Sequence, residues 1–296
     1  MMAHSPSLAA ELGALTGARC AGAPERRVGG GSIATCYAWR CGTQLVFVKV
    51  APRQALGCFT AESAGLAALA AAHALRVPRV VGCGTTEHEA FLALEWIERG
   101  AGDEHTERRL GEGLAALHRV TAARFGFAHD NFIGATPQRN DWDGDWARFF
   151  AERRLRPQLE LAEQKDLGSR LQDSGERLLA ALPALLAGHR PAACLLHGDL
   201  WGGNWFADAA GLPVVFDPAV YHGDAEADLA MTRLFGGFGP GFYRAYAAAS
   251  PLTAGAEVRA ELYNLYHVLN HANLFGGGYP AQALESIARL LAQAGG

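Results

Sequence analysis

Nine residues, Leu196-His197-Gly198-Asp199-Leu200-Trp201-Gly202-Gly203-Asn204, restrict what this chain can become more than any other stretch of it. An Asp lies two positions after a His and five before an Asn, in a turn rich in glycine. That spacing lets the Asp199 carboxylate face an acceptor hydroxyl, orient it and take its proton. The Asn204 amide oxygen can then reach a Mg2+ on the other side of the same turn. A turn whose Asp and Asn only cap backbone amides has the same composition. A second carboxylate separates the two readings. Thirteen residues after Asn204, the apolar run Val214-Val215-Phe216 ends at Asp217-Pro218. An acid at the end of such a strand is placed to hold the metal that bridges nucleotide phosphates. Pro218 and Ala219 follow it where protein kinases have Phe and Gly, so no flipping switch is expected on Asp217.

Upstream residues fit the same chemistry. Lys49 lies inside the apolar strand Leu45–Val50, where an ammonium is costly unless it meets an anion. Glu62, early in the next helix, is its candidate partner, and together they would clamp the phosphates of ATP. Gly30, Gly31 and Ser32 precede the lysine strand by one hairpin and are candidates for backbone contacts to those phosphates. The cluster is neither a full G-x-G-x-x-G nor a Walker loop, since no Gly-Lys-Ser/Thr follows. The order glycine loop, strand Lys, helix Glu, linker, His-x-Asp-x4-Asn and strand Asp is more specific than any part. It predicts phosphoryl transfer from ATP with Mg2+.

The elements predict an α+β, protein-kinase-like two-lobed fold. Residues 1–98 read as a β-rich lobe in the order strand, strand, helix, strand, strand, with Gly82-Cys83-Gly84 as a turn between the last two. Arg99-Gly100-Ala101-Gly102-Asp103-Glu104 is the linker, and residues 99–296 read as a mainly helical lobe around a β-like island at 195–216. With 26 Lys and Arg against 30 Asp and Glu, net charge is −4. The signs are interspersed, so no nucleic-acid or membrane partner is expected. Met1 to Leu15 lacks the basic start and uninterrupted apolar stretch of a secretory signal, and no apolar run approaches the roughly 18 residues of a membrane span, so neither is expected. The six cysteines are scattered and read as reduced buried thiols, and the expected compartment is the cytoplasm.

Only ten residues separate Asp217 from Asp228, too few for the activation segment on which protein kinases dock a peptide. A small acceptor, or one small group on a larger molecule, suits this spacing. Asp228 is expected to cap the helix it opens and to brace the catalytic loop.

The stretches around Asp199, Phe216-Asp217-Pro218-Ala219-Val220-Tyr221 and Asp224–Met231 resemble the fructosamine (ketosamine 3-) kinases, relatives of the aminoglycoside phosphotransferases. Asp130-Asn131-Phe132-Ile133-Gly134 and Leu265-Tyr266-His267-Val268-Leu269-Asn270-His271 narrow the likeness to this family, and it covers roughly residues 25 to 275. The resemblance implies transfer from ATP to the C3 hydroxyl of a ketosamine (ribulosamine, erythrulosamine or fructosamine), small or protein-bound, and thereby deglycation of amines. It implies Asp199 as base, Asn204 and Asp217 as Mg2+ ligands, and Lys49 with Glu62 as phosphate clamp. Glu95 falls at the hinge that meets adenine, and Trp201, Asn270 and His271 are substrate-side candidates. Some relatives carry a cysteine where this chain has Ser32, so no redox switch is expected at that loop. An aminoglycoside- or choline-type kinase is the competing reading. It predicts a strongly acidic second lobe, yet the helices after Pro240 offer only Glu257, Glu261 and Glu285. A pseudokinase would be expected to lose Lys49, Asp199, Asn204 or Asp217, and all four are present.

Overall fold

The alternation of Val46, Val48 and Val50 with Phe47, Lys49 and Ala51 gives one strand two different faces. In the computed structural model, which describes residues 7–29 and 34–295, each face has its own core. The chain starts with α1 (Leu8–Thr16), then β1 (Arg26–Val28), β2 (Thr35–Cys41) and β3 (Gln44–Pro52). After α2 (Leu56–Ala71) come β4 (Val80–Thr85) and β5 (Glu89–Glu95). The five strands form one antiparallel sheet in the order β1-β2-β3-β5-β4. The three valines pack with Leu12 of α1, Trp39, Phe91 and Ala93. Burying each such side chain stabilises by about 1.5–3 kcal/mol. Phe47 and Ala51 turn the other way, toward Phe59 and Leu66 of α2. Lys49 shares that second face, which aims it at α2.

Three expectations need correction here. Gly82, Cys83 and Gly84 are not a turn but the middle of β4, with a bulge between Val80 and Gly82. The glycines serve close packing: a Cβ on Gly82 would come within 2.6 Å of Leu15 Cδ2 on α1. The helix α1 itself was not foreseen. Cys20 and Cys41, expected as thiols, form a disulfide across an antiparallel bridge, which ties the exit of α1 to the end of β2. The other four cysteines are free.

The second body begins with α3 (Glu104–Leu117), whose N-cap Asp103 forms a capping box with Thr106. Then come β6 (Thr121–Ala122), the hairpin β7 (Asn131–Ile133) and β8 (Thr136–Gln138), and α4 (Trp146–Phe150), which runs through a π-helical turn, Ala151–Leu155, into α5 (Arg156–Gln164) and α6 (Ser169–Leu185). Next are β9 (Ala193–Leu196), the hairpin β10 (Trp205–Ala207) and β11 (Pro213–Val215), β12 (Tyr221–Gly223), and helices α7 (Ala225–Leu234), α8 (Pro240–Ala249), α9 (Ala256–Phe275) and α10 (Tyr279–Ala294). Strands β12, β9 and β6 make a small sheet that carries the His197–Asn204 turn at the end of β9. The linker is held rather than free: Gly100 N–H donates to the Ala207 carbonyl and Ala209 N–H to that of Glu98. Among the described residues no helix is long and apolar enough to cross a membrane.

Candidate active site

Lys49 is 7 % exposed and its ammonium meets two carboxylates. Nζ donates to Glu62 Oε1 at 2.7 Å, and it also bonds Asp217 Oδ1 from the other lobe. Burial pushes the Glu62 carboxyl up to about 7, against the pull of Lys49. Burial would lower the Lys49 ammonium, but Asp217 and Glu62 more than reverse that and raise it above its ordinary range. The lysine is therefore a fixed positive charge between Glu62 of α2 and Asp217 of the helical body.

The His197–Asn204 turn folds as it does because Asp228 collects its first two amides. His197 N–H and Gly198 N–H donate to Asp228 Oδ2 and Oδ1 at 2.8 and 2.9 Å, and His118 Nε2 lies 3.2 Å from Oδ2. Burial would raise the Asp228 carboxyl, but the His118 hydrogen bond and these neighbours hold it below the usual range. Its bracing role is as expected; its capping role is not. The side chain that caps α7 belongs to Asp224, and Asp228 lies one turn inside the helix. Gly198 has φ +83°, and a Cβ there would lie 2.0 Å from the Ala219 carbonyl oxygen. Only glycine permits both the conformation and the approach. His197 Nε2–H donates to the Phe216 carbonyl at 3.0 Å, which leaves Nδ1 to accept from Asp199 N–H. Burial lowers the His197 ring and keeps it neutral, as this bonding requires.

The loop and the Asp217 segment thus lie together. Asn204 Nδ2 donates to the Asp199 carbonyl at 2.8 Å, to Asp199 Oδ2 at 3.2 Å and to the Asp217 carbonyl at 3.4 Å. Its amide oxygen accepts no hydrogen bond among the described residues. With the Asp217 carboxylate it leaves a hard-oxygen donor set, which suits Mg2+. Asp217 has φ +55°, unusual for a non-glycine residue. Burial pushes the Asp199 carboxyl up to about 7, and the nearby Asp217 charge adds to the rise.

The remaining expected residues divide. Trp201, two residues from Asp199, is 39 % exposed and meets Phe235 edge-on, with ring centroids 6.2 Å apart. Phe235 lies 4.8 Å from the ring of His271 on α9, so Trp201 and His271 share one aromatic wall. Asn270 faces inward instead: it donates to the Ile133 carbonyl at 3.3 Å and accepts from Gln158 at 3.4 Å. Glu95 does have partners for its carboxylate, Arg79 N–H at 3.1 Å and Arg76 at 3.3 Å. Gly30, Gly31 and Ser32 lie outside the described residues. Sequence reading missed Arg76, whose other contact is Asp208 across the lobes. It also gave no role to Asn131 and Gln138, two buried amides, although Asn131 lies in the Asp130–Gly134 stretch that marks the family likeness. A further group, His189, Asp224 and Glu226, brings three possible ligands together, but Arg259 forks onto Glu226 at 2.7 and 2.8 Å and Tyr263 donates to Asp224. That group is an ion-pair and hydrogen-bond network under α7.

The profile of the fructosamine kinase family matches residues 4–293. The chain belongs to the fructosamine kinase family. These are phosphotransferases with an alcohol acceptor, and ATP is the phosphoryl donor. This member is 46 % identical over 268 residues to a probable ketoamine kinase of Synechocystis sp., covering 90 % of each chain. It is 40 % identical over 265 residues to a chloroplastic protein-ribulosamine 3-kinase of Oryza sativa, covering 88 % of this chain and 76 % of that one. A crystal structure assigned as a fructosamine-3-kinase from Haemophilus somnus superposes with a TM-score of 0.88 at 30 % identity, over 96 % of this chain and 97 % of that one. An aminoglycoside phosphotransferase solved with ADP and hygromycin B shares the fold alone, with a TM-score of 0.62 at 16 % identity, over 98 % of this chain and 100 % of that one. The fold of the family member is protein-kinase-like, a sheet-based lobe on a helical body.

Proposed function

We propose that this family member transfers the γ-phosphoryl group of ATP to the C3 hydroxyl of a ketosamine. The observation that carries the reading is the convergence of Asp199, Asn204, Asp217 and Lys49 beside the exposed Trp201, in a chain close to ketoamine kinases. Adenine lies between residues 1–98 and 99–296, against the hinge backbone at Glu95. Lys49, steadied by Glu62, holds the α/β-phosphates, and the backbone at Gly30, Gly31 and Ser32 covers them. Asn204 and Asp217 would hold Mg2+, and the metal would supply neutralisation of the charge that develops on the transferring group. Asp199 orients the C3 hydroxyl and takes its proton as the C3 oxygen bonds phosphorus and the bond to the β-phosphate oxygen breaks. Trp201 offers its face to the sugar, with His271 further along the same wall. We read the compartment as the cytoplasm, where the ATP donor is found.

The product undoes glycation. Loss of a C1 proton from the C3-phosphorylated ketosamine gives an enaminol, which expels phosphate from C3. Water then hydrolyses the resulting imine to the free amine and a dicarbonyl sugar. Short-chain ketosamines such as ribulosamines are the preferred substrates in this reading.

The test is to incubate ribosylated, erythrosylated and glucosylated lysine with protein and MgATP and to follow masses over hours. A phosphate adduct should appear first, and unmodified lysine should then accumulate. Asp199→Ala should still bind MgATP but transfer about 10²–10⁴-fold more slowly, the range for a lost general base. Phosphorylation of choline or an aminoglycoside with no adduct on any glycated lysine would overturn the acceptor assignment.

A further inference from the structure

Asp217 holds a left-handed backbone conformation that a non-glycine residue keeps only where its surroundings over-determine it. On its upstream side, Phe216 is bonded to Asn204 and His197. On its downstream side, the carbonyls of Ala219 and Val220 are taken by two side-chain amides of the β7–β8 hairpin. Asn131 Nδ2 donates to the Val220 carbonyl at 2.7 Å, and Gln138 Nε2 donates to that of Ala219 at 3.1 Å. Gln138 is 1 % exposed and its amide is fully used. Its second N–H goes to Asn131 Oδ1 at 2.7 Å, and its oxygen accepts from the Tyr266 hydroxyl at 2.7 Å. Tyr266 belongs to α9, the helix that carries His271. One continuous hydrogen-bonded path therefore runs from the acceptor-side helix, through Gln138, to the backbone two residues past Asp217.

We infer that the β7–β8 hairpin is a positioning device for Asp217, with Gln138 the positioning residue that links it to α9. This rests on the reading of Asp217 as a Mg2+ ligand. The hairpin supplies from within the fold what a mobile activation segment supplies by ordering itself, so the metal site is assembled without a modification step. A buried network of this kind specifies one arrangement only while every member is satisfied. An apolar residue at 138 would leave the Tyr266 hydroxyl and the Ala219 carbonyl without the partner Gln138 gives them, and Asn131 Oδ1 with Asn140 Nδ2 alone.

The test measures turnover against Mg2+ concentration at saturating ATP for the parent, Gln138→Leu and Tyr266→Phe, alongside thermal unfolding and with Asp217→Asn as control. Gln138→Leu should raise the Mg2+ needed for half-maximal turnover about tenfold, as loss of a residue behind a metal ligand does. Tyr266→Phe, which removes one hydroxyl and keeps the ring, should shift it in the same direction by a smaller factor; it carries the test if Gln138→Leu does not fold. Gln138→Asn, which keeps the amide on a shorter arm, should recover part of the loss. Folded variants that melt lower than the parent but keep its Mg2+ dependence would show a merely structural brace and overturn the inference. If Asp217→Asn also leaves Mg2+ dependence unchanged, the metal assignment itself fails and the inference falls with it. A shift in Asp217→Asn without one in Gln138→Leu or Tyr266→Phe removes the hairpin alone.

Discussion

Asp228 is 1 % exposed and accepts two backbone amides of the catalytic turn, yet its own position in the sequence suggests a helix cap. Asp and Asn are both good caps, so sequence could not distinguish a carboxylate that satisfies α7 from one that satisfies a loop thirty residues away. The distinction predicts a mutational outcome. In Asp228→Asn one carboxylate oxygen becomes an NH2 group facing either a backbone N–H or the His118 ring. At least one buried donor then loses its acceptor, which costs about 1–3 kcal/mol. Urea unfolding should register that loss, and kcat should fall although Asp228 is buried behind the turn. An unchanged unfolding midpoint would mean that the turn holds its shape without Asp228. Lys49, Asp199, Asn204 and Asp217 were legible for the opposite reason. Phosphoryl transfer requires those residue types at nearly fixed spacings, so local chemistry alone singles them out.

At the scale of elements, α1 is the clearest gap between sequence and structure. Leu8, Leu12 and Leu15 stand at helical spacing, but nine residues with one fully buried side chain, Leu12, are shorter than the window over which periodicity separates a helix from a loop. What makes the helix matter is the valine face of β3, which would otherwise be open to water. Leu12→Ala should cost about 2–5 kcal/mol, the range for a buried leucine, whereas Leu15→Ala, at a residue 41 % exposed, should cost far less. Equilibrium unfolding of the two variants separates them, and equal effects would place the buttress elsewhere. The glycines of β4 were misread on related grounds, because their value lies in admitting Leu15 and the Phe91 ring rather than in turning the chain. The β7–β8 hairpin illustrates a third kind of gap. Its strands have three residues each, too short for periodicity, and its amides take meaning only from carbonyls more than eighty residues later.

The whole molecule sets a sheet-based lobe on a helical body, and the order of motifs predicted that architecture before any contact was known. The contacts that set their angle were not legible, because they join residues distant in sequence. Arg76, in the link between α2 and β4, pairs with Glu95 at the hinge and with Asp208 on the β10–β11 turn, 132 residues away. Asp208 is in turn fixed by the N–H groups of Ala210 and Leu212 at 2.9 and 2.8 Å. The same link bonds β11 directly, since Val215 N–H donates to the Arg76 carbonyl. Removal of the side chain should therefore loosen the hinge without unfolding either lobe. The Arg76 side chain is 39 % exposed, so its ion pairs are partly screened and worth at most about 1 kcal/mol in all. That limit corresponds to a factor of about five in affinity. Arg76→Ala should raise the KM for ATP by about two- to fivefold while leaving kcat nearly unchanged, if the hinge meets adenine as proposed and the chemistry lies beyond it. Salt supplies the independent check, since it screens partly exposed pairs more than buried ones. As ionic strength rises the parent's KM should climb toward that of Arg76→Ala, while the variant's own KM moves little. Parallel salt curves for the two proteins, or equal KM values at low salt, would show that the cleft keeps its angle without this triad.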